Sequence, residues 1–254
     1  MTRPFLVVAL TLLLAACAAG KPGENARLSS PAAEGNTRLA RASLEGGDAG
    51  AAITLFQQTL KANPEDYDAR LGLADALFVA GEPDRARAAY IEAARRRPKE
   101  IEPLLALGRI AIAKREFAEA ESRYQAARTL APGDTRPLCG LGAVRDLQGQ
   151  YDEAQALYRE ALAAHPEDAA ARSNLGLSLA LSGHPREAVG VLLDVATRPS
   201  APPQARQNLA LAYGLMGNDE AAESVLSTDM ERTAVRTNLD YYRYVRGRAA
   251  GGTR

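Results

Sequence analysis

The sequence repeats itself with a period of 34. Six leucines, Leu39, Leu73, Leu107, Leu141, Leu175 and Leu209, mark the register. Each is followed by a small residue (Ala40, Ala74, Gly108, Gly142, Gly176, Ala210) and, twelve residues further on, by an alanine (Ala52, Ala86, Ala120, Ala154, Ala188, Ala222). No insertion interrupts the register from Ala33 to Arg236, so six units occupy 204 of the 254 residues. A fixed period of this length marks a stacked-repeat architecture, in which each unit buries its apolar face against its neighbours.

Each recurring position has a physical task. Helices approach closely only where side chains are small, which accounts for Gly or Ala at the eighth place and Ala at the twentieth. The leucine at the seventh place is expected to fill the core beside them. A bulky residue recurs four places after the second alanine, as Phe56, Tyr90, Tyr124, Tyr158, Leu192 and Leu226, and is expected to bury apolar area against the next repeat. Between the two helices stand Gly47, Gly81, Gly149, Gly183 and Gly217, where a positive φ costs glycine little. Only Arg115 departs from that series. Pro64, Pro98, Pro132 and Pro166 end their units, because proline lacks the amide donor and disfavours helix before it. Ser200 and Ala234 replace them in the last two units.

These residues resemble the tetratricopeptide repeat (TPR), a helix-turn-helix unit of 34 residues. The resemblance implies an all-α, right-handed solenoid of units 33–66, 67–100, 101–134, 135–168, 169–202 and 203–236. The family often places Trp or another large residue at the fourth place. Here stand Asn36, Arg70, Leu104, Leu138, Arg172 and Arg206, so the core is lean. Arg145 occupies a place that is usually large and buried. It must carry its charge to solvent, the expected case, or pair with an acid.

The N-terminus carries a second signal. Arg3 is followed by a ten-residue apolar run, Phe5 to Leu14, too short to span a membrane and suited to a signal peptide over residues 1–16. Leu14, Ala15, Ala16 and Cys17 resemble a bacterial lipobox, which implies acylation of Cys17 and a membrane attachment that does not span. Ala18 in place of Asp implies, by the same resemblance, transfer to the outer membrane. Residues 17–32 lack helical periodicity and read as a tether, about 50 Å long when extended and about 20 Å as a coil.

Composition excludes several functions. Basic and acidic residues balance at 31 each, and loss of Arg3 leaves a nominal charge of −1, which favours neither nucleic acid nor a polybasic membrane patch. Cys139, the second of two cysteines, has no disulfide partner once Cys17 carries lipid, and a buried, inert thiol is expected. His165 and His184 stand alone beside prolines, with no cluster at metal-ligand spacing. Neither a phosphate-binding loop nor a nucleophile elbow is present. Glu65 with Asp66, and Glu167 with Asp168, follow repeat prolines, where they are expected to cap helices rather than form an acid/base couple. The reading is of a chain that is not an enzyme and needs no cofactor.

Binding therefore remains. In TPR proteins the second, fifth, sixth, ninth, twelfth and thirteenth places of the first helix line a concave groove. That resemblance assigns partner contacts to Leu71, Phe78, Leu105, Arg109, Ile112 and Ala143, with Cys139 beside them. Further along it assigns Asn174, Leu177, Leu181, Asn208, Leu211 and Leu215. The two asparagines stand where the family often hydrogen-bonds a ligand backbone, and the Lys and Asn pattern of carboxylate-clamp TPRs is absent. A largely apolar wall of this kind suits an amphipathic helix or an extended apolar segment; the competing reading is that several of these side chains are packed between repeats.

Past the sixth unit, Thr228 with Glu231 resembles a capping box, and Val235, Leu239, Tyr242 and Val245 share one helical face. A capping helix over 228–246 and a frayed tail over 247–254 are expected. The lipobox, the six units, Asn208 to Gly214 and the ending Asn238, Leu239, Asp240, Tyr241, Tyr242 together resemble the TadD family, the Flp pilus assembly lipoproteins of tight-adherence secretion. That resemblance implies a periplasmic accessory at the outer membrane whose partner is the secretin or another pilus component. A type IV pilus pilotin, a TPR component of outer-membrane protein assembly, and a periplasmic enzyme subunit or envelope-polymer factor are the alternatives.

Overall fold

The computed structural model describes residues 31–199 and 201–251. The signal sequence, Cys17, most of the tether, Ser200 and the last three residues lie outside them. The described residues contain thirteen helices and no strand, and consecutive helices pair as hairpins. They fall into two compact units, 31–132 and 133–251.

The first unit holds α1 (Pro31–Glu45), α2 (Ala49–Ala62), α3 (Tyr67–Val79), α4 (Pro83–Arg96), α5 (Glu102–Ala113) and α6 (Phe117–Leu130). The second holds α7 (Arg136–Leu147), α8 (Tyr151–Ala164), α9 (Ala169–Leu181), α10 (Pro185–Ala196), α11 (Pro203–Met216), α12 (Asp219–Leu226) and α13 (Arg232–Gly251). Two helix starts show the capping chemistry expected of the sequence. Asp66 accepts from the Ala69 amide at 2.9 Å, and Asp168 from those of Ala170 and Ala171 at 2.9 and 3.0 Å. The acidic residues after the repeat prolines thus satisfy amide donors that the first turn of a helix leaves unpaired.

Small residues sit where helices meet. The alanines of the twentieth place, from Ala52 to Ala222, are fully buried. A Cβ built on Gly142 would lie 2.5 Å from the Tyr158 ring, so only glycine lets α8 lay that ring against α7. Tyr124 over Gly108 and Leu192 over Gly176 repeat the arrangement. Tyr124, Tyr158 and Leu192 therefore each pack on the glycine of their own repeat, Phe56 lies over Gly72 of the next, and Tyr158 and Leu192 also share a buried cluster with Ala171, Leu175, Ala205 and Leu209 of the following repeats, as expected. Leu39 is another departure, 55% exposed whereas Leu107, Leu141, Leu175 and Leu209 are buried, because no described repeat precedes it.

The five turn glycines all have φ between 77° and 89°, and Arg115 adopts the same left-handed region at φ 61°. Its guanidinium lies 5.3 Å from the Phe117 ring centroid, a cation–π contact that offsets part of the backbone cost. Arg145 does not simply reach solvent. Its Nε lies 3.2 Å from Glu153 Oε2. Arginines at the fourth place clamp the chain between repeats: Arg70 donates to the Pro64 carbonyl, Arg172 to that of Pro166, and Arg206 to that of Ala201 at 2.9 Å. A polar staple thus stands where the family often has a large apolar residue.

The C-terminal end differs most from expectation. Helix α12 stops after eight residues, and Ala234, at the place where earlier units carry proline, falls inside α13 rather than at a unit boundary. Helix α13 starts after Glu231, whose carbonyl accepts from the Val235 amide at 3.0 Å, and it continues through Gly247 to Gly251. Its buried side chains Val235, Leu239 and Tyr242 join Ala210, Ala222 and Leu226 in one cluster. Arg243 and Arg246 reach Asp219 at 2.7 and 3.1 Å and hold its carboxyl below the usual range.

Candidate partner-binding face

In the first unit, Leu71 and Phe78 are half-buried and pack beside the cluster of Leu77, Tyr90, Leu107 and Ile110. Arg109 is also half-buried. Its charge acts on the hydrogen-bonded pair formed by Tyr90 and Asp75, whose hydroxyl-to-carboxylate distance is 2.5 Å. Burial raises the Asp75 carboxyl above its ordinary range, and Tyr90 and Arg109 pull it back. Leu105 and Ile112, by contrast, are buried in this structure and present no surface.

In the second unit Ala143 and Leu177 are likewise buried, and Cys139 is enclosed beside Leu138, Ala171 and Leu175. Asn208 is occupied as well. Its amide donates to the Ser173 hydroxyl at 3.0 Å and to the Ser173 carbonyl at 3.3 Å, so it joins α11 to α9 instead of facing outward. Asn174, Leu211 and Leu215 are half-buried, and Leu181 is 45% exposed at the end of α9. The surface offered here is therefore narrower than the sequence suggests, because pattern alone does not show which apolar side chains their neighbours cover.

The remaining polar side chains singled out in the sequence pair locally. His165 is exposed, its Nε2 lying 3.1 Å from the Gly133 carbonyl, and His184 is exposed beside Ser182. An open cleft of about 540 Å³ lies between 133–136 and 164–168, but its polar groups satisfy one another: Arg136 pairs with Asp134 at 2.6 Å, and Thr135 donates to Asp168 at 2.5 Å. Among the described residues no three His, Cys, Asp or Glu side chains group as metal ligands, and no helix is long and apolar enough to cross a membrane. The residue that sequence reasoning missed is Asp146, a buried carboxyl within α7. The period carried the signal, since the same place in the other repeats holds Leu44, Phe78, Ile112, Ala180 and Gly214.

The tetratricopeptide repeat family profile matches residues 37–101 and 148–205. No match to a curated protein sequence was found. Among solved structures, a tetratricopeptide repeat protein from Parabacteroides merdae is 15% identical with a TM-score of 0.71, the alignment covering 85% of this chain and 86% of that one. PilW, described as a widely conserved type IV pilus biogenesis factor, is 21% identical with a TM-score of 0.65, over 79% and 94% of the two chains. PilF of Pseudomonas aeruginosa is 18% identical with a TM-score of 0.61, over 76% and 88%. At these identities the likeness is one of fold. The half-buried and exposed apolar side chains above, with Leu181 exposed at the end of α9, form the candidate contact surface.

Proposed function

We propose that this chain is a non-catalytic lipoprotein, acylated at Cys17 and held at the periplasmic face of the outer membrane, where it binds a secretin or allied component of a Flp pilus and assists its assembly. The observation that carries the reading is the sequence Leu14, Ala15, Ala16, Cys17 placed ahead of a tether and a TPR solenoid. A secretin subunit exposes apolar segments before its ring closes. Tethering raises the local concentration of the repeats, so modest affinity suffices to hold one. A type IV pilus is the second reading, supported by the fold shared with PilW.

Deletion of the gene is expected to reduce heat-resistant secretin multimer in outer-membrane fractions while pilin synthesis continues, and Cys17→Ser is expected to reproduce much of that defect. Normal multimer with piliation lost would move the role to another pilus component. Normal piliation would reject the pilus reading. On the repeats, Leu181→Asp should weaken partner capture with the helices intact by circular dichroism. Charge at Leu105 or Ile112 tests folding instead, because both side chains are buried.

A further inference from the structure

At the twelfth place of the first helix, five repeats carry Leu, Phe, Ile, Ala or Gly, and the fourth alone carries an acid, Asp146. Two places earlier in the fifth repeat stands Ser178, where the others have Ala42, Ala76, Ile110, Val144 and Ala212. Two positions that are apolar everywhere else thus turn polar together. Both side chains are buried, Asp146 at 8% exposure and Ser178 at zero. The Ser178 hydroxyl donates to Asp146 Oδ1 at 2.6 Å, and the Tyr158 hydroxyl to Oδ2 at 2.9 Å. One carboxyl therefore joins three helices, α7, α8 and α9.

No cation answers its charge. On α7, Arg145 turns to Glu153 of α8 and to Gln148. On α8, Arg159 donates to Gln155, whose own amide donates to Ser182 at 3.0 Å. On α9, Arg172 is held by Asp194 at 2.6 Å, and the nearby His184 pairs with Ser182. Among the described residues none of these groups forms an ion pair with Asp146. A carboxylate with neutral donors alone in a buried site is expensive, whereas the neutral acid is not.

We propose that Asp146, Tyr158 and Ser178 form a proton-operated latch between the fourth and fifth repeats, closed when the carboxyl is neutral and loosened when it ionises. The proton comes from solvent to Oδ1. The new O–H then donates to Ser178 Oγ, the serine hydroxyl turns to a carbonyl of its own helix, and Tyr158 continues to donate to Oδ2. Burial pushes this carboxyl up to about 6, against the opposing pull of the two hydroxyls. The sign follows. Between its ordinary value of 3.8 and about 6, the folded chain holds one proton more than the unfolded one, so stability falls as pH rises through that window and stays lowered above it. The latch acts whatever the chain binds.

Amide hydrogen exchange of the full chain, corrected for intrinsic rate, tests this at pH 4 and pH 7 with peptides from α7 and α9. Their protection should fall by on the order of 100-fold over that range in the wild type, the factor that a shift of about two pH units implies. In Asp146→Asn it should change by less than about threefold. Equal pH dependence in wild type and variant, or none in the wild type, overturns the proposal. Should the variant fail to fold, the carbon resonance of the wild-type Asp146 carboxyl decides. A midpoint near 6 that rises in Tyr158→Phe supports the latch, and a midpoint at the ordinary aspartate value removes it.

Discussion

Each compact unit sets an aspartate against a tyrosine of the twenty-fourth place, and the two units solve the resulting electrostatic problem differently. In residues 31–132, Asp75 accepts from Tyr90 with the Arg109 charge close by, and the side chain remains half-buried. In residues 133–251, Asp146 accepts from Tyr158 and Ser178 with no cation, and the side chain is buried. The tyrosine hydroxyl is common to both. What differs is the compensation for the charge: Arg109 opposes the rise that burial imposes on Asp75, and no cation opposes it at Asp146.

The largest test of this parallel removes the rings. Tyr90→Ala and Tyr158→Ala should each destabilise by about 3–5 kcal/mol, the range for deleting a buried aromatic, as measured by urea unfolding of the full chain. A large difference between them would mean that the two tyrosines do not play equivalent parts in their cores. Crowding the glycine seats under Tyr158 and Tyr124 comes next. Gly142→Ala places a Cβ 2.5 Å from the Tyr158 ring and should cost about 1–3 kcal/mol, as should Gly108→Ala against Tyr124.

Removing only the hydroxyls sharpens the comparison. Tyr158→Phe takes a donor from an ionised, buried carboxylate and should cost about 1.5–3 kcal/mol at pH 7. That loss should shrink as pH falls below about 6, because the Asp146 carboxyl then takes a proton. Tyr90→Phe should cost less, about 1 kcal/mol, since Arg109 still compensates Asp75. Unfolding curves at pH 5 and pH 7 distinguish the two. The smallest effect is a gain: Arg115→Gly relieves a left-handed residue and should raise stability by about 0.5 kcal/mol, once the extra freedom of glycine in the unfolded chain is counted.

The period, the helix pairs and their caps were legible in the sequence because they depend on local chemistry. Asp66 and Asp168 cap helices wherever they precede one, and the turn after Ile112 is left-handed even with arginine in it. Features set by distant neighbours were not legible. Leu39 matches its five counterparts in sequence and differs only in lacking a covering repeat. Asn208 matches the pattern of a ligand-binding asparagine, and Ser173, 35 residues earlier, occupies it. Leu105, Ile112, Ala143 and Leu177 have the spacing of a groove wall and are buried. Asp146 was readable as an anomaly of the repeat, but its partners lie 12 and 32 residues away and appear only once the helices are stacked.

The ring of Tyr242 would lie 2.3 Å from a Cβ at Gly214, so the last helix seats an aromatic plug in the kind of notch that other repeats fill from their own second helix. This contact gives the array a defined end. A duplication of 34 residues inserted at an earlier boundary would lengthen the stack and leave the plug in its seat. A chain cut before Arg232 would leave that notch empty and uncover Ala210, Ala222 and Leu226 on an apolar edge. Array length and the protection of that edge are thus governed by the same tyrosine, and the truncated chain should self-associate by size-exclusion chromatography where the full chain does not gain from doing so through this edge.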